Sequence, residues 1–561
     1  CSLYSLFVSA NPLHHHPKSH HSKHHNPHKH KPHNHPAPKP RTPISSPIIN
    51  NIFDTFTALP ENPRGVTRHF EFRLVKANLA VDGVTRAVWT VNGQYPGPVI
   101  SGNIGDTFAI HVVNELGEPS GMHWHGLDQD GTNWYDGVPG ITQCPIKNGK
   151  SLSYVFNLTQ SGTYWYHSHF MAQYVDGLRG PIVIFDPNDP YKHDYDSEYV
   201  MSVADWYHTP TEDPGMLPLF RDVNYQGGDP VPDSGEISGV GQYRCTIPKC
   251  KPKKFATYKV KRGHRYRFRL INFSAMSHFT VSFDQHPLKV IEVDGTMIEP
   301  YTVTSLPINI AQRYSVIVEM NQPIGNYFIR ATISDCSVGG GPGTINGNSP
   351  LLNNKQITGI LRYEGAPSSI PKSKAYHTKT PDCLDPDSSN PRNLRPINLK
   401  KKVPTNKNIH TIKLTVAIAF NPQLEATING NSFAVNFKNP SYQKVLSGSK
   451  FVPTDNAFTY HGLNKPHGHS FWVVARGGTG SSTKPLSSLK YNFENPLYRD
   501  TLTLEEFSLT AIMYYADNPG VWLFHCHIEW HVEMGMVAQL VEVPEVFKTY
   551  KIPRSVTDMC K

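Results

Sequence analysis

Histidines recur in pairs separated by a single residue along this 561-residue chain, and that spacing restricts how the chain can fold. The pairs are His123/His125, His167/His169, His467/His469 and His525/His527. Residues i and i+2 of a β-strand point to the same side of the sheet, so a pair on an extended strand presents two imidazoles to one site. One such pair is often a chance occurrence in a loop, whereas several together indicate a histidine-rich metal centre carried by β-strands.

The last pair encloses Cys526 and is followed by His531 and Met536 in the stretch HCHIEWHVEMGM. On a strand, the cysteine points away from the side that its two neighbours face, so one short segment can contact two separate metal centres. A thiolate, an imidazole and a distant thioether match a blue copper electron-transfer site, which needs one further histidine. Zinc is the rival metal, but structural zinc sites favour paired cysteines, and this segment has one cysteine among many histidines.

Turn-forming residues and repeated strand patterns predict an all-β protein. The chain contains 48 Pro, 41 Gly and 11% aromatic residues, which is typical of many short strands. The segments GDTFAIHVVNEL (105–116) and RGHRYRFRLINFS (262–274) both read as a turn followed by an alternating strand. We predict three β-sandwich domains, at 65–190, 191–365 and 408–561, with a linker at 366–407.

Residues 1–64 form a separate His- and Pro-rich segment that we predict to be disordered. Eleven of the 30 histidines fall between His14 and His35, and residues 1–45 carry six Lys or Arg and no acid. Because this tail supplies most of the net charge of +9, the rest of the chain retains only about +3, which argues against nucleic-acid binding. A metal-sequestering or pH-dependent tail and a solvated linker are both open interpretations.

Several features favour a secreted, soluble protein. The chain has eight cysteines, the glycosylation sequons Asn157 and Asn272, and no apolar run approaching eighteen residues. The first ten residues, CSLYSLFVSA, are compatible with the remnant of a signal peptide. We expect an extracellular monomer without a membrane anchor.

Longer motifs resemble the multicopper oxidase family, and among its members secreted fungal laccase-like enzymes and the related iron-oxidising group. They are HWHG, WYHSH with the following QYVDGLRGP, DGVPGITQCPI, VIEVDG, AQRYSVIVE and HCHIEWH, and the resemblance runs from about 66 to 548. It implies three cupredoxin-like Greek-key sandwiches and four copper ions. The implied ligands are His123 for type 2 copper, His125, His167 and His527 for one type 3 ion, His169 and His525 for the other, and Cys526, His531 and axial Met536 for type 1 copper.

The resemblance also implies a reaction. Four single electrons leave reducing substrates at the type 1 copper, and O2 is reduced to two waters at the trinuclear cluster. Asp136 in YDGVPG and Glu529 in HCHIEWH stand in the positions of the acids that deliver protons. An ordinary surface or packing carboxylate is the alternative interpretation of each.

The third domain departs from the family pattern. Relatives carry HPxHLHGH there, with one histidine for each type of copper, whereas this chain has HGLNKPHGH. Aligning HGH keeps only His467 in register, as a type 3 ligand, leaves Gly462 and Lys465 in two ligand positions, and puts His469 where a ligand is unusual. His461 is a candidate substitute that we disfavour. The preceding stretch also lacks the alternating strand of the other two domains, so about 20 residues are absent relative to the repeat.

The substrate is predicted from two acids in GGDPVPDSGEISGVGQY. Asp229 stands like the iron-binding acid of iron oxidases, and Asp233 like the acid that accepts a hydrogen bond from phenols in laccases; both are equally compatible with turn-forming residues. We favour phenol or diphenol oxidation over Fe(II) oxidation. A non-catalytic copper-binding protein is the other alternative, because the third-domain motif is incomplete. An axial Met536 implies a modest oxidant.

The cysteines outside the metal-ligand motif offer candidate disulfides. The resemblance implies that Cys144 pairs with Cys560, which ties the first domain to the C-terminus. Cys245 and Cys250 bracket four residues, and Cys336 and Cys383 remain as a pair by elimination.

Overall fold

Short strands in six sheets form the framework of the chain that the computed structural model describes. The described residues are 3–10, 51–56, 65–212, 215–217, 229–334, 353–376, 384–389, 394–397, 399, 402–404, 410–420, 424–460, 469–478, 480–505 and 507–561. They include an N-terminal strand, β1 (Leu3–Ala10). The predicted all-β class with three cupredoxin-like domains is confirmed, and each domain contributes two sheets.

The first domain pairs two four-stranded sheets, ordered β3-β2-β5-β7 and β4-β9-β8-β6. Its strands are β2 (Thr67–Leu79), β3 (Arg86–Val91), β4 (Ile100–Asn103), β5 (Thr107–Asn114), β6 (Met122–His125), β7 (Ser151–Asn157), β8 (Gly162–Ser168) and β9 (Arg179–Phe185). Exposed and buried side chains alternate along β7, so this strand covers the core with one face, whereas β8 and β9 are buried throughout. His167, near the end of β8, is therefore buried inside the molecule.

The second domain has a seven-stranded sheet, β12-β11-β10-β14-β19-β16-β17, and a five-stranded sheet, β13-β21-β20-β15-β18. Its strands are β10 (Ser197–Trp206), β11 (Ser234–Ile237), β12 (Val240–Gly241), β13 (Ala256–Val260), β14 (Arg265–Asn272), β15 (Phe279–Phe283), β16 (Leu288–Val293), β17 (Thr296–Val303), β18 (Leu306–Ile308), β19 (Arg313–Glu319), β20 (Asn326–Ile333) and β21 (Gln356–Tyr363). The two repeated segments of the sequence form β5 and β14, each parallel to the first strand of its domain.

The third domain has the sheets β23-β22-β1-β27-β25-β26 and β24-β29-β28. Its own strands are β22 (His410–Phe420), β23 (Leu424–Ile428), β24 (Ala457–Tyr460), β25 (Phe471–Arg476), β26 (Leu497–Arg499), β27 (Leu509–Tyr514), β28 (Gly520–His525) and β29 (Val537–Glu542). Short α-helices among the described residues are α1 (Pro386–Ser389), α2 (Ser441–Ser447), α3 (Glu529–Glu533), α4 (Pro544–Phe547) and α5 (Arg554–Thr557). The described 3-10 turns are Asn133–Tyr135, Pro453–Asp455, Leu486–Ser488 and Asp558–Cys560. No helix in these ranges is long and apolar enough to cross a membrane.

One connection between strands of the third domain has fewer residues than the corresponding connection of the second domain. β16 and β25 correspond, because each pairs with the next strand of the chain on one side and with a later strand, β19 or β27, on the other, and each has a register shift. Residues 261–287, 27 in number, separate β13 from β16, whereas ten, 461–470, separate β24 from β25. This difference falls where the sequence analysis places the missing segment.

The strand next to β22 comes from the N-terminus of the chain. In the first two domains the corresponding strand, β5 or β14, is parallel to the first strand and antiparallel to a later one. In the third domain β1 fills this place with the opposite polarity, antiparallel to β22 and parallel to β27. The structure thus differs from the prediction of disorder at residues 3–10, which are apolar and unlike the His-rich residues after them; residues 11–50 lie outside the described ranges.

Burial separates the two predicted glycosylation sequons. Asn157 is exposed at the end of β7. Asn272 is fully buried, and its side-chain amide donates to the carbonyl oxygens of Ser277 and Ile308. Since a glycan cannot be attached to a buried side chain of the folded protein, the expectation for Asn272 is corrected.

Two predicted disulfides are present. Cys144 is bonded to Cys560, 416 residues away, and Cys245 is bonded to Cys250. Cys336 and Cys383 lie outside the described residues. The first disulfide closes most of the chain into a loop, and it is accompanied by packing of first-domain residues against the C-terminal helices.

Removal of the long-range disulfide should destabilise the protein more than removal of the short-range one. We expect Cys144→Ser/Cys560→Ser to lower the free energy of unfolding by about 2 to 5 kcal/mol, because a cross-link restricts the unfolded chain more when the loop is longer. Denaturant unfolding of this variant and of the control Cys245→Ser/Cys250→Ser measures both losses. Equal losses would contradict the loop-length explanation.

Candidate metal centre

Strand pairing brings the first two histidine pairs together. β6 carries His123 and His125, and it lies antiparallel to β8 so that His123 stands opposite His167. His169 follows one residue after the end of β8. The predicted placement on β-strands therefore holds for His123, His125 and His167, whereas His169 lies just beyond its strand.

The pair from the third domain completes a compact group of six imidazoles, which we call the histidine cluster. The His125 ring centroid lies 5.0 Å from that of His527, and the His169 centroid lies 5.2 Å from that of His525. His167 lies 5.5 Å from His527 and 5.3 Å from His123. The cluster therefore joins residues of the first and third domains that are far apart in sequence.

The donor atoms of the histidine cluster fit metal ions. One ring nitrogen from each of His123, His125 and His167 lies within 4.8 Å of the others. Nε2 of His167 and both ring nitrogens of His527 are buried without a hydrogen-bond partner. Buried polar atoms are normally satisfied, so these nitrogens are available as ligands.

Burial keeps most of these imidazoles neutral. It lowers the pKa of His125 and His525 to about 4, and it lowers the pKa of His167, His169 and His527 well below the usual value. A neutral imidazole has a free lone pair, which metal ligation requires. The indole of Trp165 stacks on the His167 ring at a centroid distance of 4.2 Å and limits its orientation.

Cys526 lies on the other side of this segment. Its Sγ is 3.3 Å from Nδ1 of His531, and it is a free thiol. The backbone N–H of Cys526 donates to the carbonyl oxygen of Met536, whose side chain is buried. Strand β28 ends at His525, so Cys526 and His527 follow the strand rather than lying within it. The thiol, the imidazole and the thioether nevertheless border one cavity, of about 370 Å³, that also reaches the histidine cluster.

Charges around His531 favour a cation. Burial opposes protonation of His531, but electrostatic interactions and hydrogen bonds with Asp229 and Cys526 raise its pKa to about 10. Nε2 of His531 lies 3.3 Å from Oδ2 of Asp229, which is almost buried. Asp229 thus contacts Nε2 of the His531 ring, whereas Cys526 contacts Nδ1 of the same ring.

The other predicted acids occupy different places. The carbonyl oxygen of Asp136 accepts from Nδ1 of His123 at 2.8 Å, and its Oδ1 is 3.3 Å from the same nitrogen. Glu529 is buried at the start of α3, one residue before Trp530. Asp233 is partly exposed and accepts from the backbone N–H of His208 at 2.8 Å.

The third-domain ligands are only partly described. His461 and His467 lie outside the described residues. His469 is within 2.7 Å of Glu542 and packs on Tyr514. Among the described residues, the cysteine site therefore has Cys526, His531 and Met536, and the resemblance calls for one further imidazole.

Sequence reasoning missed a carboxylate next to the histidine cluster. Asp500 Oδ1 lies 3.8 Å from Nε2 of His125, and Thr501 Oγ1 lies 3.3 Å from the same nitrogen. Arg313 of the second domain holds Asp500 through two hydrogen bonds, of 2.7 and 2.6 Å. No spacing in the sequence marks these residues, because the three domains bring them together only in the fold.

Comparison with known proteins supports the resemblance. Three family profiles, each described as multicopper oxidase, match residues 74–189, 197–366 and 398–546. A laccase of Trametes maxima is 35% identical over 532 residues, covering 87% of this chain and 96% of that laccase. Laccase-2 of Botryotinia fuckeliana is 37% identical over 509 residues, covering 85% and 82%.

Solved structures show the same similarity. The laccase from Botrytis aclada superposes with a TM-score of 0.73 at 32% identity, covering 89% of this chain and 91% of that one. Fet3p, described as a multicopper oxidase that functions in iron import, superposes with a TM-score of 0.71 at 25% identity, covering 88% and 94%.

Proposed function

The chain belongs to the multicopper oxidase family, and we propose that it is a secreted laccase-like enzyme that takes single electrons from phenols or diphenols and reduces O2 to water. The observation that carries this proposal is the position of Cys526 between two histidines of the histidine cluster, with His531 on its other side. The exposed sequon at Asn157 and the disulfides support secretion.

The proposed ligands are those that the family resemblance implies. His123 would hold type 2 copper, and the remaining members of the histidine cluster, with His467 from the third domain, would hold two type 3 ions. Cys526, His531 and Met536 would hold type 1 copper, with His461 as the disfavoured substitute for the missing imidazole. Four copper ions are expected in a fully loaded chain.

Copper bound in these places would supply one-electron redox chemistry and the reduction of O2. The chain itself provides the connection between the two sites, because the peptide bonds on either side of Cys526 lead directly to His525 and His527. This is the shortest covalent route between the thiol and the histidine cluster. Nε2 of His167 and both ring nitrogens of His527 are buried without a hydrogen-bond partner, so they remain available as ligands.

Protons are proposed to reach the cluster from two carboxyl groups. Asp136 contacts His123 directly, so it can pass a proton toward the space beside that ring. Glu529 is two residues from His527 and interacts electrostatically with Tyr174, which packs against the His527 ring. The two acids therefore approach the cluster from different elements.

Asp229 is the better placed of the two substrate acids. Oxidation of a phenol releases the hydroxyl proton, and a carboxylate beside the electron-accepting imidazole can accept it. Asp229 is within 3.3 Å of His531, whereas Asp233 contacts His208, whose side chain bonds to Asp82. We propose that Asp229 accepts the phenol proton and that Asp233 shapes the nearby backbone.

Replacement of the Asp229 carboxylate should impair phenol oxidation selectively. We expect Asp229→Asn to lower kcat/KM for a diphenol by about 100-fold, because an amide cannot accept the proton, and to leave the blue absorption of the copper protein in place. Asp233→Asn is the matched control. A smaller loss with Asp229→Asn than with Asp233→Asn would assign the role to Asp233.

Fe(II) oxidation is the second candidate activity. The Asp229 carboxylate next to His531 is also a suitable ligand for a hard cation, and the similarity to Fet3p favours this alternative. Comparing kcat/KM for a diphenol and for Fe(II) on the same copper-loaded sample decides between them, and faster Fe(II) turnover would reverse our preference. A non-catalytic copper-binding role, motivated by the shortened third domain, predicts turnover of neither substrate.

A further inference from the structure

Positive charge is concentrated in one part of the second domain. No Asp or Glu occurs from residue 237 to residue 283, a stretch that holds 11 Lys or Arg. Residues 46–236 and 284–561 together have 37 Lys or Arg against 45 Asp or Glu. The small net charge of the chain after its first 45 residues therefore combines a strongly basic stretch with an acidic remainder.

Most of these cations lie on the surface. Arg267 and Arg269 are buried and paired with buried glutamates. Lys261, Arg262 and Arg265 lie at the start of β14 and in the turn before it, where Arg265 stands opposite a glutamate of β19. The other six, which we call the basic strip, are exposed and form no ion pair with an acid in the described part of the chain: Arg244, Lys249, Lys251, Lys253, Lys254 and Lys259.

A disulfide closes the loop, residues 244–254, that carries most of the basic strip. The Cα atoms of Cys245 and Cys250 are 5.3 Å apart, so those of the flanking Arg244 and Lys251 lie within about 13 Å of each other. The side-chain amide of Asn353 accepts from the N–H of Arg244 and donates to its carbonyl oxygen. The N–H of Lys251 donates to the carbonyl oxygen of Gly83, in the first domain, at 2.9 Å. The loop is thus anchored on both sides of the disulfide, and its cations project from a fixed backbone.

A pair of like charges continues the basic strip onto the five-stranded sheet. β13 is the edge strand of this sheet, and its Lys259 stands opposite Arg362 of β21. The guanidinium of Arg362 donates to uncharged groups, the side chains of Asn326 and Ser368. Like charges opposite each other on neighbouring strands are destabilising, so an anion bound beside them would be favourable. A lysine on an edge strand also prevents pairing with other chains, but the loop cations lie outside the strand and that explanation does not cover them.

The side chains of the basic strip favour one class of polyanion. Five of the six cations are lysines, which act as hydrated point charges, whereas recognition of phosphate groups favours the planar fork of arginine. Tyr243 packs on His208 and Phe255 packs on Phe328, so the aromatic rings at the two ends of the loop are engaged and offer nucleic-acid bases no stacking platform. Ile247 is exposed, but one aliphatic side chain is too little apolar area to hold the loop in a lipid surface.

We propose that the basic strip is a docking surface for an acidic polysaccharide, a linear polymer that carries carboxylate groups at regular intervals. The class of partner rests on the proposed secretion, because acidic polysaccharides are extracellular polymers, and the disulfide of the loop fits the same oxidising environment. The basic strip contains none of the proposed copper ligands. Docking would keep the protein at an anionic matrix through several weak, parallel, salt-sensitive attractions.

The test compares two sets of lysine substitutions in the full chain, with polygalacturonate as the titrated ligand. The test variant is Lys249→Gln/Lys251→Gln/Lys253→Gln/Lys254→Gln. Its control changes four exposed lysines of the third domain and has the same net charge, Lys438→Gln/Lys450→Gln/Lys484→Gln/Lys548→Gln. The thermal transition of each protein shows whether it is folded.

We expect the test variant to bind polygalacturonate about 10-fold or more weakly than the parent chain at low salt, and the control to stay within about twofold. Cys245→Ser/Cys250→Ser keeps every charge but opens the loop, so its affinity should lie between the two. The affinity of the parent chain should fall as salt is added.

Three results would overturn the proposal. They are a parent chain that does not bind polygalacturonate, an equal weakening in both lysine variants, and tighter binding of the parent chain to a DNA duplex or to phosphatidylserine vesicles than to polygalacturonate at the same salt concentration. The metal-free chain should bind as well as the copper-loaded one. A failure of copper loading or of turnover would therefore count against the proposed oxidase and leave the result for this surface intact.

Discussion

Replacing Cys526 by serine should abolish the blue absorption of the copper-loaded protein and lower diphenol oxidation by about 1,000-fold or more, a loss typical of an essential catalytic group. The thiol lies 3.3 Å from Nδ1 of His531, and the thioether of Met536 belongs to a residue that borders the same cavity. Serine preserves the shape of the segment but supplies no thiolate, so electrons have no entry to the connection that leads to His525 and His527.

Measuring the number of copper ions bound per chain distinguishes this effect from misfolding. Cys526→Ser should lose about one copper per chain and keep the ions of the histidine cluster, since none of the six imidazoles is altered. Met536→Leu is the control, because it keeps the thiolate and should keep the blue colour while raising the reduction potential. A serine variant that stayed blue would place the chromophore elsewhere.

Replacing His167 by alanine should have the complementary effect. We expect O2 consumption to fall about 1,000-fold or more while the blue absorption remains, because His167 belongs to the histidine cluster and is separated from Cys526. Its Nε2 is buried without a partner, so alanine removes a free ligand atom rather than a structural hydrogen bond at that nitrogen.

A surface histidine provides the comparison for this variant. His111 is exposed on β5 and contacts Ser153, so His111→Ala should consume O2 at the parent rate. Oxygen uptake and metal analysis on the three proteins give the answer. Equal O2 uptake by His167→Ala and the parent chain would rule out the histidine cluster as the site of O2 reduction.

Local spacing was sufficient to predict the strands that carry the site. The alternating segments 105–116 and 262–274 form β5, in which burial alternates as predicted, and β14, which is buried at every residue after its first. The His-x-His spacing likewise predicts β6 and the end of β8. A shortage of residues in the third domain was also visible, since the internal repeat supplies a reference length.

Contacts between strands and side chains that are distant in sequence could not be predicted from local patterns. The polarity of β1 in the third domain depends on partners about 400 to 500 residues away, and no local pattern encodes them. The Asp500–Arg313 ion pair joins the third domain to the second, and it lies next to His125 of the first domain. The contact between Asp229 and His531 and the burial of Asn272 also arise from tertiary packing, so a turn motif and a sequon could not reveal them.

The most direct test of the account is a copper X-ray absorption spectrum of the copper-loaded full chain, compared with the spectrum of Cys526→Ser. The account predicts a copper–sulfur bond in the parent protein that is lost in the variant, together with copper bound by imidazole nitrogens in both. A parent spectrum without copper–sulfur scattering, or a Cys526 found in a disulfide, would contradict it.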